Sequence, residues 1–288
     1  MSCAVIGGYP GAADAGEACP LTMNDTIMKQ LERLDSSYCT GRTYVNPLAR
    51  RFPAPVFYWK FLGVVFRASA KAKKGQYHGP AWCGSSFAIR QALESVGCKF
   101  EISGVEHIAQ LTTPCVVIAN HMSVMETTIL PGIIQPHRKV TFVIKESLLH
   151  YPVFKHVMRS RRPIVVNRVN PRQDLKTVLA EGRERLHRGI SIVVFPQTTR
   201  AHTFDPGRFN SLGVKLALKS EVPVVPLALY TAAWGNGKWV KEFGKIDPSR
   251  KIRFAFGRPL HVEGRGAREH QAVIKFIGEK LAAWQKTD

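Results

Sequence analysis

From about Lys99 onward the chain alternates short β-branched runs with longer stretches of helical periodicity, and this alternation restricts the fold more than any other feature. Residues 115–119, 141–144, 164–166, 190–195, 224–229 and 252–256 read as strands. Residues 124–134, 147–158, 172–187, 212–219 and 267–284 read as the helices that follow them. The helix from 172 is well punctuated, with Asn170 as N-cap, Pro171 at N1 and Gly189 just past its end. Such alternation predicts an α/β fold with a mostly parallel central sheet flanked by helices. Sites in such sheets form beyond the carboxyl ends of the strands, so the strand-to-helix junctions are where chemistry is expected.

The first hundred residues have a different texture. Residues 1–23 read as a disordered arm, rich in Gly, Ala and Pro, without the basic-then-apolar order of a secretory signal. A short amphipathic helix is expected from Asn24, with Ile27, Met28, Leu31 and Leu34 on one face, followed by a Pro/Arg-rich break over 47–55. Residues 56–74 read as a helix with an aromatic-apolar body and a basic end at Arg67, Lys71, Lys73 and Lys74, and 87–96 as a second helix. The expected organisation is therefore an arm (1–23), an N-terminal helical segment (24–98) and an α/β domain (99–288). No apolar run approaches the roughly 20 residues of a spanning helix.

Charge and cysteine usage narrow the partners. Lys plus Arg number 41 against 21 acids, a net +20. Half of this lies between Arg138 and Arg200, where 14 basic residues face 4 acidic ones. A surface of this kind attracts polyanions, whether nucleic acid, an anionic membrane or a phosphorylated substrate. The six cysteines include no Cys-x-x-Cys pair, which argues against a zinc site and a disulfide framework and points to a reducing, cytoplasmic setting.

Three junctions stand out. The strand 115–119 runs into Asn120-His121-Met122-Ser123-Val124-Met125-Glu126, which puts an imidazole at a strand end and a carboxylate within one turn of it. That carboxylate can fix the tautomer of a histidine acting as a base. Ser123-x-x-Glu126 also reads as a capping box, a purely structural use of the same residues. The strand 190–195 ends in Pro196-Gln197-Thr198-Thr199-Arg200, a group of polar donors that could cradle an anion or belong to an ordinary polar loop. The strand 164–166 delivers Arg168 in the same manner. A fourth stretch, Val222-Pro223-Val224-Val225-Pro226, reads as an edge or entry strand.

Taken in order and spacing, His121 with Glu126, the strand with Arg168, Phe195-Pro196-x-x-Thr199-Arg200 and Val222-Pro223-x-x-Pro226 resemble the motifs of the glycerophospholipid acyltransferase family, which includes the 1-acylglycerol-3-phosphate acyltransferases. The resemblance covers roughly residues 100–260. It implies that His121 is the general base that deprotonates the acceptor hydroxyl, with Glu126 orienting it, and that the oxygen attacks an acyl thioester without a covalent acyl-enzyme. It further implies that Arg168 and Arg200, with Gln197, Thr198 and Thr199, bind the acceptor's phosphate, that Lys145 belongs to the same pocket, and that Pro226 helps shape the acyl-donor site. Neither a metal nor a bound cofactor is implied; acyl-CoA or an acyl carrier protein brings the acyl group as co-substrate. Two positions depart from the family pattern. Glu126 stands where Asp is usual, and Gln197-Thr198 replaces Glu-Gly, which changes the charge and room of the acceptor pocket.

The expected activity is transfer of a fatty acyl group to the free hydroxyl of a lysophospholipid, 1-acyl-sn-glycerol-3-phosphate or one with another head group. The expected partner surface is an anionic membrane, met peripherally from the cytoplasmic side through residues 56–74. A nucleic-acid-binding protein would explain the charge equally well, but no zinc-finger spacing, RNP-type aromatic motif or basic helix-turn-helix is present. Gly-x-Gly-x-x-Gly after a strand and Gly-x4-Gly-Lys-Ser/Thr are also missing, which argues against a nucleotide-dependent enzyme.

Overall fold

The computed structural model describes residues 37–197, 199–238 and 240–287. The expected arm, the helix from Asn24 and the site residue Thr198 lie outside the described residues. The strands are β1 (Ser37–Cys39), β2 (Phe100–Ser103), β3 (Val116–Ala119), β4 (Val140–Lys145), β5 (Ile164–Val166), β6 (Ser191–Val194), β7 (Val224–Tyr230) and β8 (Ile252–Phe256). The helices are α1 (Pro47–Arg51), α2 (Pro53–Lys73), α3 (Gly79–Glu94), α4 (Glu106–Ala109), α5 (Met125–Ile134), α6 (Phe154–Ser160), α7 (Pro171–His187), α8 (Leu212–Ser220) and α9 (Ala267–Gln285). One sheet runs in the order β1-β2-β8-β7-β3-β6-β4-β5. Its pairings are parallel except β1 with β2 and β7 with β8. The α/β fold with a mostly parallel sheet is thus as the alternation predicts.

Each face of the sheet is covered by helices, which is why the central strands read as continuous apolar runs rather than alternating ones. Val117, Ala119, Val193, Leu227 and Leu229 join Phe57, Phe61, Leu93 and Ile129 of α2, α3 and α5 in one cluster. Val116, Ile118, Ile192 and Val194 point the other way, onto Val178 of α7, Val214 of α8 and Ile277 of α9. Full burial of side chains of this size contributes roughly 1.5–3 kcal/mol each. Helices α3 and α5 approach closely at Gly132, where a Cβ would come within 2.9 Å of Ser86 Cβ.

Several local expectations are corrected. The Pro/Arg-rich stretch 47–55 is helical, because its prolines fall at helix starts. Pro47 opens α1 behind the Asn46 cap, and Pro53 and Pro55 sit in the first turn of α2, where a missing N–H costs nothing. The helix expected over 147–158 is split into a 3-10 turn at Glu146–Leu149 and α6, with Pro152 and Val153 (φ 67°) between them. Helix α3 begins eight residues before the expected start at 87, since the small residues Gly84, Ser85 and Ser86 conceal its periodicity. The short strands β1 and β2 were not expected. Strand β7 is central, between β3 and β8, rather than an edge. Pro226 is tolerated there because β8 stops at this point, and Gly257, just past its end, donates to the Pro226 carbonyl at 2.7 Å.

Candidate active site

Parallel pairing brings the carboxyl ends of β3, β4, β5 and β6, together with that of β7, to one edge of the sheet. β3 lies between β6 and β7, with Ile118 level with both Val194 and Pro226. His121 follows β3 by two residues, at its carboxyl end. The preceding Asn120 is buried and locks this turn to β7: its Nδ2 donates to Leu229 O at 2.8 Å and its Oδ1 accepts the Leu229 N–H at 2.9 Å.

His121 Nδ1 is hydrogen-bonded to Glu126 Oε2. The imidazole is 13% exposed and the carboxylate fully buried. The other carboxylate oxygen, Oε1, accepts from Met122 N at 2.8 Å, Ser123 N at 2.9 Å and Thr231 Oγ1 at 2.6 Å. A buried carboxylate needs such donors, because an unpaired one would cost far more than a hydrogen bond returns. The ring-orienting reading of Glu126 is realised and the capping box only in its glutamate half, since the helix N-cap is Val124 and Ser123 Oγ accepts from Met125 N instead of the Glu126 N–H. Oε1 reaches back to the Ser123 N–H as in a capping box, and Oε2 holds the histidine. With Nδ1 engaged, Nε2 is the nitrogen placed to take a proton. The Phe195 ring stacks on the imidazole, with centroids 4.4 Å apart and planes at 21°.

The segment after β6 grips the backbone of the same histidine. Gln197 Oε1 accepts the His121 N–H at 2.8 Å, and the Ala201 N–H donates to the His121 carbonyl at 2.9 Å. Gln197 is buried, and its oxygen is engaged with the His121 backbone. Arg200 is carried in beside Ala201. Its Nη1 lies 3.2 Å from Glu242 Oε1, and Tyr151 donates its hydroxyl to Glu242 Oε2 at 3.3 Å. The Glu242 charge, followed by burial and this hydrogen bond, raises the Tyr151 phenol above its ordinary value. Thr199 is exposed.

Arg168 sits in the left-handed region, at φ 63°. Asp174, in the first turn of α7, holds this strained loop by accepting Asn167 N at 3.2 Å and Arg168 N at 2.9 Å. Burial is the largest influence on the Arg168 guanidinium and lowers it from its ordinary value; Asp174 opposes this, and the charge of Arg200 adds to it. The two arginines thus lie within each other's electrostatic reach. Lys145 ends β4 level with Val166 of β5, exposed on the same sheet edge. Pro226 does not join this group; it is buried within β7, below the strand ends.

Thr231, Asp174, Asn236 and Glu242 were missed from the sequence. Asn236 Nδ2 donates to Met122 O at 3.0 Å, so three of the four come from the segment following β7. The strand-end rule applied to the far end of β7 would have marked Thr231. Nothing periodic marks Asn236 or Glu242. An apolar cavity of about 210 Å³ lies next to this segment, lined by Leu62, Val65, Phe66, Pro152, Phe154 and Phe243, with Glu242 at its wall.

Three of the described cysteines and the serine beside His121 are held away from nucleophilic use. Burial pushes the Cys83 and Cys98 thiols up to about 12, and raises Cys115 as well. Ser123 is fully buried and commits its hydroxyl to Thr231 Oγ1 at 3.0 Å. Among the described residues no group of three His, Cys, Asp or Glu side chains could hold a metal ion.

Residues 99–230 match the family model described as Acyltransferase. The chain is 31% identical over 204 residues to a 1-acyl-sn-glycerol-3-phosphate acyltransferase of Pseudomonas aeruginosa, covering 70% of this chain and 73% of that protein. It is 30% identical over 140 residues to the chloroplastic 1-acyl-sn-glycerol-3-phosphate acyltransferase BAT2 of Brassica napus, covering 49% of this chain and 38% of the plant protein. The crystal structure of PlsC, the 1-acyl-sn-glycerophosphate acyltransferase of Thermotoga maritima, shares the fold. Its TM-score is 0.57 at 21% identity, over 90% of this chain and 98% of that one. The chain therefore belongs to the acyltransferase family that includes the 1-acyl-sn-glycerol-3-phosphate acyltransferases.

Proposed function

We propose that this enzyme transfers a fatty acyl group from an acyl thioester to the free hydroxyl of 1-acyl-sn-glycerol-3-phosphate. The observation that carries the reading is the His121–Glu126 pair at the end of β3, with two arginines on the same sheet edge. His121 Nε2 takes the hydroxyl proton as the oxygen bonds to the thioester carbon. The C–S bond breaks, and the imidazolium returns the proton to the departing thiolate. The buried Glu126 carboxylate holds the ring and stabilises its cation during transfer. Arg168 and Arg200 suit a phosphomonoester, Arg200 exchanging its contact with Glu242 for the substrate's oxygens. The apolar lining of the cavity beside Glu242 suits part of an alkyl chain running away from that phosphate. CoA or an acyl carrier protein delivers the acyl group. The enzyme works peripherally at the cytoplasmic face of an anionic membrane.

Thiol release from palmitoyl-CoA and from an acyl carrier protein, with and without 1-acyl-sn-glycerol-3-phosphate, tests this directly. Acceptor-dependent release is expected, and His121→Ala is expected to lower kcat by about 10²- to 10⁴-fold, the usual contribution of a positioned base. Undiminished release in that variant would remove the histidine from the mechanism. Release restored only by a lysolipid of another head group would keep the chemistry and change the acceptor.

A further inference from the structure

We propose that Thr231 is a positioning residue for the base, fixing the Glu126 carboxylate in the one orientation in which Oε2 reaches His121. This rests on the acyl-transfer reading above and adds to it a residue just outside the stretch that matches the family model, which ends at 230.

Glu126 Oε1 collects three donors, and they are not equivalent. Met122 N and Ser123 N belong to the turn that carries Glu126 itself, and they move with it. Thr231 Oγ1, at 2.6 Å, comes from the far end of the neighbouring strand β7, 105 residues away in sequence. It is the donor that ties the carboxylate to the sheet. Its position is itself determined, because Leu229, two residues earlier, exchanges both backbone hydrogen bonds with the Asn120 side chain. The end of β7 is thereby registered against the residue that precedes His121.

The direction of the protons is also fixed. Met125 N donates to Ser123 Oγ at 3.2 Å, the Ser123 hydroxyl donates to Thr231 Oγ1 at 3.0 Å, and the Thr231 hydroxyl donates to Glu126 Oε1. A hydroxyl has one proton to give. The chain can only run towards the carboxylate, which accepts and cannot donate while ionised. Ser123, Glu126 and Thr231 are all fully buried, so water offers no substitute donor. Glutamate has one more rotatable bond than aspartate; the two backbone N–H groups hold the carboxylate to its own turn, and the Thr231 hydroxyl adds the contact that holds it to the sheet.

The test uses the full-length enzyme with saturating series of acyl-CoA and 1-acyl-sn-glycerol-3-phosphate. Thr231→Val keeps the shape and removes the hydroxyl; Thr231→Ala does the same in a smaller residue, should the valine fail to fold. Either variant is expected to lower kcat by about 10- to 100-fold, with KM for both substrates within about twofold of wild type. Thr231→Ser is expected to recover most of the loss. In a Glu126→Gln background, removing the hydroxyl is expected to change the residual kcat by less than about threefold, since the two residues act as a unit. Wild-type kcat in both Val and Ala, a change confined to KM, or the same fold loss in the Glu126→Gln background would overturn the proposal. An active His121→Ala enzyme would instead overturn the underlying mechanism, so the two failures are told apart.

Discussion

Gln197 stands where the family pattern carries a carboxylate, and its duty is one an amide performs as well: its Oε1 accepts the His121 N–H at 2.8 Å. From the sequence it is a polar residue at a strand end, and assignment to the acceptor pocket is natural. The His121 N–H that its Oε1 accepts is 76 residues away, and no local pattern encodes that pairing. Gln197→Glu keeps the acceptor, whereas Gln197→Leu leaves a partly buried N–H without one, at a cost of about 1–3 kcal/mol. The leucine variant is expected to lose the larger share of kcat/KM and to melt several degrees lower, with glutamate intermediate between it and wild type. Equal losses in the two variants, read by thiol release and thermal unfolding, would remove Gln197 from the support of the base. Glu126 shows the opposite limit of legibility. Its reach back to the Ser123 N–H and its hold on the ring were visible from spacings of three and five residues, and the two oxygens of one carboxylate divide these tasks.

Elements were legible where they are long or bear β-branched runs, and so were the junctions between them. All four of His121, Arg168, Gln197 and Arg200 stand just after strands that the alternation predicts. Strands β1 (Ser-Tyr-Cys) and β2 (Phe-Glu-Ile-Ser) lack the β-branched apolar run that marks the equally short β3, β5 and β6. The left-handed turn at Arg168 was also hidden, because arginine carries no signal for a positive φ. Such a conformation costs about 1–3 kcal/mol and persists only when its surroundings impose it. Here the first turn of α7 imposes it through the Asp174 carboxylate on two successive N–H groups. Asp174→Ala should therefore free the loop and misplace the guanidinium. The expected result is a KM for the phosphorylated acceptor raised about 10-fold or more, with little change in KM for acyl-CoA, and partial recovery in Asp174→Asn, which retains one acceptor oxygen. A KM unchanged for both substrates would mean that the loop holds Arg168 without this carboxylate, or that Arg168 does not meet the acceptor.

At the scale of the whole molecule the net charge of +20 was plain from composition, but its distribution was not. The basic end of α2 meets α6, so that Lys73, Lys155 and Arg159 gather around His156; desolvation and then these three cations lower its imidazole below the ordinary value. The aromatic residues of α2 divide between two surroundings. Phe57 and Phe61 are buried in the core, while Trp59 is 84% and Phe66 57% exposed, with Leu48 and Phe52 exposed just upstream. No helix among the described residues is long and apolar enough to cross a membrane. A helix with buried, apolar-exposed and cationic sectors can instead rest at a headgroup layer, where each basic residue adds about 1 kcal/mol against anionic lipid. Sedimentation with vesicles of phosphatidylglycerol and phosphatidylcholine should then bring down the protein at low salt. Pure phosphatidylcholine should retain much less of it, and raising the salt should release a large part, since screening shortens the reach of the cations to about 8 Å at 0.15 M. Trp59→Glu with Leu48→Glu should weaken binding at every salt concentration while leaving thiol release from soluble short-chain substrates intact, because neither exposed side chain lines the apolar cavity or supports the His121 turn. Lowering the pH through the range in which His156 gains its proton should strengthen binding, as an anionic surface favours the charged form that the neighbouring cations oppose. Equal recovery in the supernatant with and without anionic vesicles would remove membrane docking from this face and leave the cationic cluster to the acyl carrier or another polyanion.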